Sequence, residues 1–70
     1  NNLRYIEMFQ DVYDSKFWRE FAPTEMEIRF MSQCREGEEI SVCSRVDGSA
    51  VRLAALHQDG QIAAVAEFRA

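Results

Sequence analysis

The 70 residues are enough for one small domain, and a chain this short hides only about 60% of the surface its unfolded form exposes. Eight Lys and Arg against 12 Asp and Glu give a net charge of −4, and dispersed cations on an acidic chain argue against nucleic acid as the partner. A 47% hydrophobic, 29% charged composition with 3 Gly and 1 Pro excludes collagenous and low-complexity chains, and the longest strictly apolar run, Ile62 to Ala66, is far short of the roughly 20 residues of a membrane span.

Tyr5, Phe9, Tyr13 and Phe17 recur every four residues, with Leu3, Ile6 and Val12 beside them and Glu7, Asp11 and Asp14 between. That period predicts an amphipathic helix from about residue 2 to about residue 15, with Asn1 or Asn2 as its N-cap. Ala22-Pro23 stops any longer helix, because the residue before proline is pushed out of the α region. Lys16 to Pro23 is then a connector carrying Phe17, Trp18 and Phe21.

From Thr24 the period becomes two. Met26, Ile28 and Phe30 alternate with Glu25, Glu27 and Arg29 in a strand expected to end near Cys34, and Arg35-Glu36-Gly37-Glu38 reads as a turn. Ile40, Val42 and Val46 mark a second strand, closed by the turn signal Asp47-Gly48. Val51, Leu53 and Ala55 mark a third, and Ile62, Ala64, Ala66 and Phe68 a fourth, with Asp59-Gly60 between them. Alanine is a poor strand former, yet positions 50, 54, 55, 63, 64 and 66 are alanine. Small side chains on a sheet let a bulky aromatic helix come close, so the expected core is an aromatic helix resting on an alanine-lined antiparallel sheet, an α+β arrangement.

Cys34 and Cys43 have no CxxC spacing and no adjacent histidine, so neither a structural zinc site nor any other metal or cofactor is expected, and reduced thiols in a cytoplasmic protein are the natural reading. Cys34 is either a strand-end thiol or a group of the site; a reactive thiol needs a cation or helix N-terminus beside it, and only Arg35 is adjacent. His57 alternates in phase with Val51, Leu53 and Ala55 and reads as a structural residue at the core edge, since nothing in the sequence pairs with it.

Asn1-Asn2-Leu3-Arg4-Tyr5-Ile6 resembles the end of the His-Val-Asn-Asn-x-x-Tyr motif that opens the central helix of acyl-thioesterase hotdog domains. Met26 to Ile40 resembles the strand, turn and strand after that helix, most closely in the second hotdog repeat of acyl-ACP thioesterases. There Cys34 matches the cysteine of a Glu-Cys pair and Gln33 stands where the glutamate would be. The resemblance implies a hotdog fold, one helix wrapped by a curved antiparallel sheet, with residues 1–70 forming one hotdog domain that lacks its first strand. Opening on Asn1-Asn2 rather than methionine, the chain is expected to be a piece of a longer protein.

The implied activity is hydrolysis of acyl-ACP thioesters in fatty acid biosynthesis. Asn1, Asn2, Gln33 and Cys34 are the catalytic candidates and Tyr5 and Phe9 the substrate-binding ones. Asn1 and Asn2 would hold a helix first turn whose free N–H groups face the carbonyl oxygen as it gains charge. An amide at Gln33 can orient water or a carbonyl but takes no proton at neutral pH. The family's Asp-x-Asn-x-His segment would lie before Asn1, so residues 1–70 alone are expected to turn over little substrate. Arg19, Arg35, Arg45 and Arg52 could meet an acidic acyl carrier protein, or else belong to a solvated face. The other readings are an acyl-CoA thioesterase and a non-catalytic hotdog half used for scaffolding or dimerisation. Pairing with a second copy or an upstream hotdog repeat is expected from the small core.

Overall fold

In the computed structural model, which describes residues 3–70, two helices lie against a four-stranded antiparallel sheet. The helices are α1 (Leu3–Gln10) and α2 (Ser15–Phe21); the strands are β1 (Glu25–Phe30), β2 (Ser41–Asp47), β3 (Ala50–Leu56) and β4 (Ile62–Arg69). Strand order is β1-β4-β3-β2, so the two alanine-rich strands occupy the centre.

The single helix expected over residues 2–15 is divided, and the connector expected over 16–23 is mostly helical. Asp14 causes the division. Its extended backbone (φ −77°, ψ 172°) and a side-chain Oδ1 that accepts from Phe17 N–H at 2.8 Å make it the N-cap of a new helix. The carbonyl of Gln10, left free where α1 ends, accepts instead from the Trp18 indole N–H at 2.8 Å. Ala22, left-handed at φ 48°, ends α2 with its N–H on the Trp18 carbonyl, one residue before Pro23.

The strands stand where the alternation put them, but β1 stops at Phe30 and residues 31–34 are irregular rather than extended in the sheet. The inner face carries Val51, Leu53 and Ala55 of β3 and Ala64, Ala66 and Phe68 of β4, all in one buried cluster with Tyr5 and Phe9 of α1. Phe9 is fully enclosed, and its burial contributes about 1.5–3 kcal/mol. Alanine at 55, 64 and 66 leaves room for that ring, as the sequence required. Tyr13, Phe17, Trp18 and Phe21 pack on the same cluster from its other end. Edge strand β1 is less well covered: Met26 and Phe30 remain 51% and 41% exposed, which leaves apolar surface beside the core.

The ladder between β3 and β4 is broken at one point. Ala55 pairs with Ala64 but Leu56 pairs with Ile62, so Ala63 is an extra residue bulged into β4. The outer face is charged. Arg52 donates to Glu67 at 2.7 Å and to Asp47 at 3.3 Å, while Arg69 pairs with Glu67 and Glu25. Among the described residues no helix is long and apolar enough to cross a membrane.

Candidate functional site

Beyond β1 the chain is guided by the bulge. The carbonyl of Ala63 accepts from both Met31 N–H (2.8 Å) and Ser32 N–H (3.2 Å), which fixes Ser32 at the end of the sheet. The chain then turns through Arg35–Glu38, where Gly37 takes φ +80° and Glu38 N–H donates to the Arg35 carbonyl at 3.0 Å. Glu38 returns the contact, its Oε1 accepting from Arg35 N–H at 3.0 Å. From the opposite hairpin comes His57, whose N–H donates to the Gln61 carbonyl and whose own carbonyl accepts from Gly60 N–H. α1 adds Tyr5.

These segments bring five side chains together. Tyr5 O–H donates to Cys34 Sγ over 2.9 Å, and that sulfur lies 3.5 Å from His57 Nδ1. His57 Nδ1 is 3.1 Å from Glu38 Oε2, and His57 Nε2 is 2.6 Å from Ser32 Oγ. Glu38 Oε2 also accepts from Gln58 N–H at 3.0 Å. Cys34, Glu38 and His57 are all half-buried, whereas Ser32 is exposed.

Two pKa shifts arise from these contacts. The Arg35 and Gln58 N–H groups, with His57 behind them, hold the Glu38 carboxyl below the usual carboxylate range, so it stays ionised. Donating to Cys34, together with partial burial, holds the Tyr5 phenol above its ordinary value, so it remains a donor.

The cluster separates two clefts. One, of about 380 Å³, is lined by Arg4, Tyr5, Gln33, Cys34, Arg35 and Glu38 among others. The other, of about 520 Å³, is lined by Ser32, Gln33, Arg35, Glu38, His57 and Gln58 among others. Cys34, Glu38 and His57 also have their donor atoms within 4.8 Å of one another, a sulfur, nitrogen and oxygen set of the kind a zinc ion accepts. Glu38 Oε2, however, already accepts from Gln58 N–H and lies 3.1 Å from His57 Nδ1, and its Oε1 accepts from Arg35 N–H.

The sequence profile of the acyl-ACP thioesterase C-terminal domain matches residues 1–67. The chain belongs to that family. The matched span contains every residue of the cluster and both clefts. No curated protein and no solved structure matches the chain. Membership in the acyl-ACP thioesterase C-terminal domain family gives the chain a thioesterase-related function.

Of the residues singled out from the sequence of this acyl-ACP thioesterase domain, Tyr5 and Cys34 touch, and Gln33 lines both clefts. Phe9 lies in the core with no exposed surface. Asn1 and Asn2 lie outside the described residues. The expectation that nothing pairs with His57 is corrected: half-buried just past the end of β3, it has Ser32, Cys34 and Glu38 as partners. Ser32 and Glu38 were not singled out as site residues. Glu38 did carry a local signal, a carboxylate three residues after Arg35 in a glycine turn, where it can cap a free N–H. Ser32 carried none, since its partner is 25 residues away.

Proposed function

We propose that the chain is the hotdog C-terminal portion of an acyl-ACP thioesterase, which releases a fatty acid by passing the acyl group of the carrier thioester to water. The observation that carries this reading is the polar cluster between two clefts inside the span that matches the family. Gln33, which lines both clefts, offers a side-chain donor to the thioester carbonyl, Tyr5 and Cys34 wall the first cleft as the substrate-facing pair, and Phe9 backs α1 from the core. Asn1 and Asn2 would complete the donor set at the start of the helix.

The strand order, with both helices against one face of an antiparallel sheet, supports the hotdog assignment, and residues 1–70 are read as one such domain. The free edge of β2 and the half-covered Met26 and Phe30 of β1 support pairing with a second copy or with another hotdog repeat. Arg4 and Arg35 at the first cleft suit an acidic acyl carrier, and the free thiols of Cys34 and Cys43 suit the cytoplasm.

The test is turnover of acyl-ACP and acyl-CoA panels by the protein at its full encoded length. A higher kcat/KM on acyl-ACP is expected. Preference for acyl-CoA would change the carrier, and no turnover of either would leave the scaffold reading in its place.

A further inference from the structure

The geometry points to a Ser32–His57–Glu38 relay in which Ser32 Oγ is the nucleophile that takes the acyl group from the thioester. This deepens the proposed thioesterase function and rests on it for the substrate.

Both ring nitrogens of His57 are engaged, each by a different kind of group. Nδ1 faces the Glu38 carboxylate at 3.1 Å, so the ring proton sits there; Nε2, left as the acceptor, takes the hydrogen bond of the Ser32 hydroxyl at 2.6 Å. That is the order a nucleophile, a general base and an orienting acid require. The acid is fixed independently of the histidine, because Arg35 and Gln58 N–H groups grip its two oxygens. Ser32 is fixed through its N–H on the bulged Ala63 carbonyl and is exposed to solvent, whereas His57 and Glu38 are half-buried behind it. All three line the 520 Å³ cleft, together with Gln33, Arg35 and Gln58, whose side-chain N–H groups can meet a carbonyl oxygen as it becomes negative. A metal ion on Cys34, Glu38 and His57 is the rival use of the same atoms. It is disfavoured because both Glu38 oxygens already accept backbone N–H groups, and a metal at Nδ1 would break the His57–Glu38 contact.

The step balances. Ser32 Oγ attacks the thioester carbon, its proton passes to His57 Nε2, and as the carbon–sulfur bond breaks that proton goes to the leaving thiolate, releasing the carrier as a thiol. Water then attacks the acyl-serine ester, gives a proton to His57 Nε2, and the fatty acid leaves as that proton returns to Ser32 Oγ. A base is thereby present within this span, in addition to any supplied by residues before Asn1.

The experiment uses the protein at its full encoded length with a fluorophosphonate probe, which reacts with an activated serine hydroxyl. One adduct per chain is expected by intact mass, mapped to Ser32 by peptide mass, absent from Ser32→Ala, and formed at least about 100-fold more slowly in His57→Gln. Glu38→Gln, which keeps the size of the side chain, should also slow labelling, with circular dichroism confirming the fold of each variant. An unlabelled Ser32 in folded wild-type protein would overturn the relay. So would acyl-ACP turnover that survives Ser32→Ala with unchanged kcat/KM, a result that leaves the thioesterase function standing. Stoichiometric zinc lost on Cys34→Ser would also overturn it, in favour of the metal site. Labelling of Ser32 without any thioester turnover would uphold the relay and remove the thioester as its substrate.

Discussion

The helical layer is held differently at its two ends. Around α2, Phe17 stacks on Tyr13 and on Phe21 with ring centroids 4.2 and 5.7 Å apart, and Trp18 tilts over Phe68 at 4.9 Å. At the start of α1 a single ring, Tyr5, meets Phe30 and ends in a hydroxyl that opens the chain of polar contacts to Cys34, His57, Glu38 and Ser32. Apolar packing has no direction, and several rings share it, so the loss of one is partly taken up by the rest. A hydrogen bond has one donor, one acceptor and a narrow range of angles, so each polar atom has one place to be. The contrast assigns stability to the aromatic end and leaves the polar end as the place of the proposed chemistry.

The largest effect belongs to the residue between the ends. Phe9→Ala empties the centre of the core and should cost about 3–5 kcal/mol by urea denaturation. A cost under about 1 kcal/mol would mean that the two ends hold themselves up without a shared core. Next comes Trp18→Ala, which removes ring contacts with Phe17, Phe21 and Phe68 and the bond to the Gln10 carbonyl. It should cost about 1.5–3 kcal/mol and leave kcat/KM unchanged well below the melting temperature. Lost turnover in a variant of undiminished stability would break the contrast. Tyr5→Phe keeps the ring and deletes only the hydroxyl, so the expected loss is about 0.5–1.5 kcal/mol, with a fall in kcat/KM that Trp18→Ala does not show.

The smallest effect sharpens the contrast through pH. Glu38 is held below the usual carboxylate range by the N–H groups of Arg35 and Gln58. A depressed folded-state value means that the stabilisation is fully present above the unfolded carboxyl value of about 4.3 and is lost as pH falls through the lower folded value. Melting temperatures of wild type and Glu38→Gln should therefore converge as the solution is acidified. A gap that stays constant would show that the turn does not depend on the charge.

The sheet was legible because its signal is local: alternation at Met26–Phe30, Val51–Ala55 and Ile62–Phe68 needs only neighbouring residues to be read. The break between the helices was less so. Asp14 fits the polar face of a continuous helix as well as it fits an N-cap, and its N-cap role is accompanied by a bond from the Trp18 indole to the Gln10 carbonyl that no periodicity contains. His57 was legible in phase but not in company. Its partners Glu38 and Ser32 are 19 and 25 residues away, and only the return of β4 past the β1 end brings them together. Cys34 and Tyr5 came from resemblance, and the structure joins them by a hydrogen bond that no spacing rule contains.

Ala63 has a consequence for how this domain can change length over generations. The turns at Gly48-Ser49 and Asp59-Gly60 lie outside the paired strands, so residues can be gained or lost there while the ladders stay in step. Ala63 is the residue the ladder passes over between Ala55–Ala64 and Leu56–Ile62, and its carbonyl holds Met31 and Ser32. Deleting it would close the ladder with Ile62 still opposite Leu56, but would take away the bulged carbonyl that accepts from Met31 and Ser32. Lineages of this domain should therefore vary in their hairpin loops and keep a fixed residue count across this part of β4.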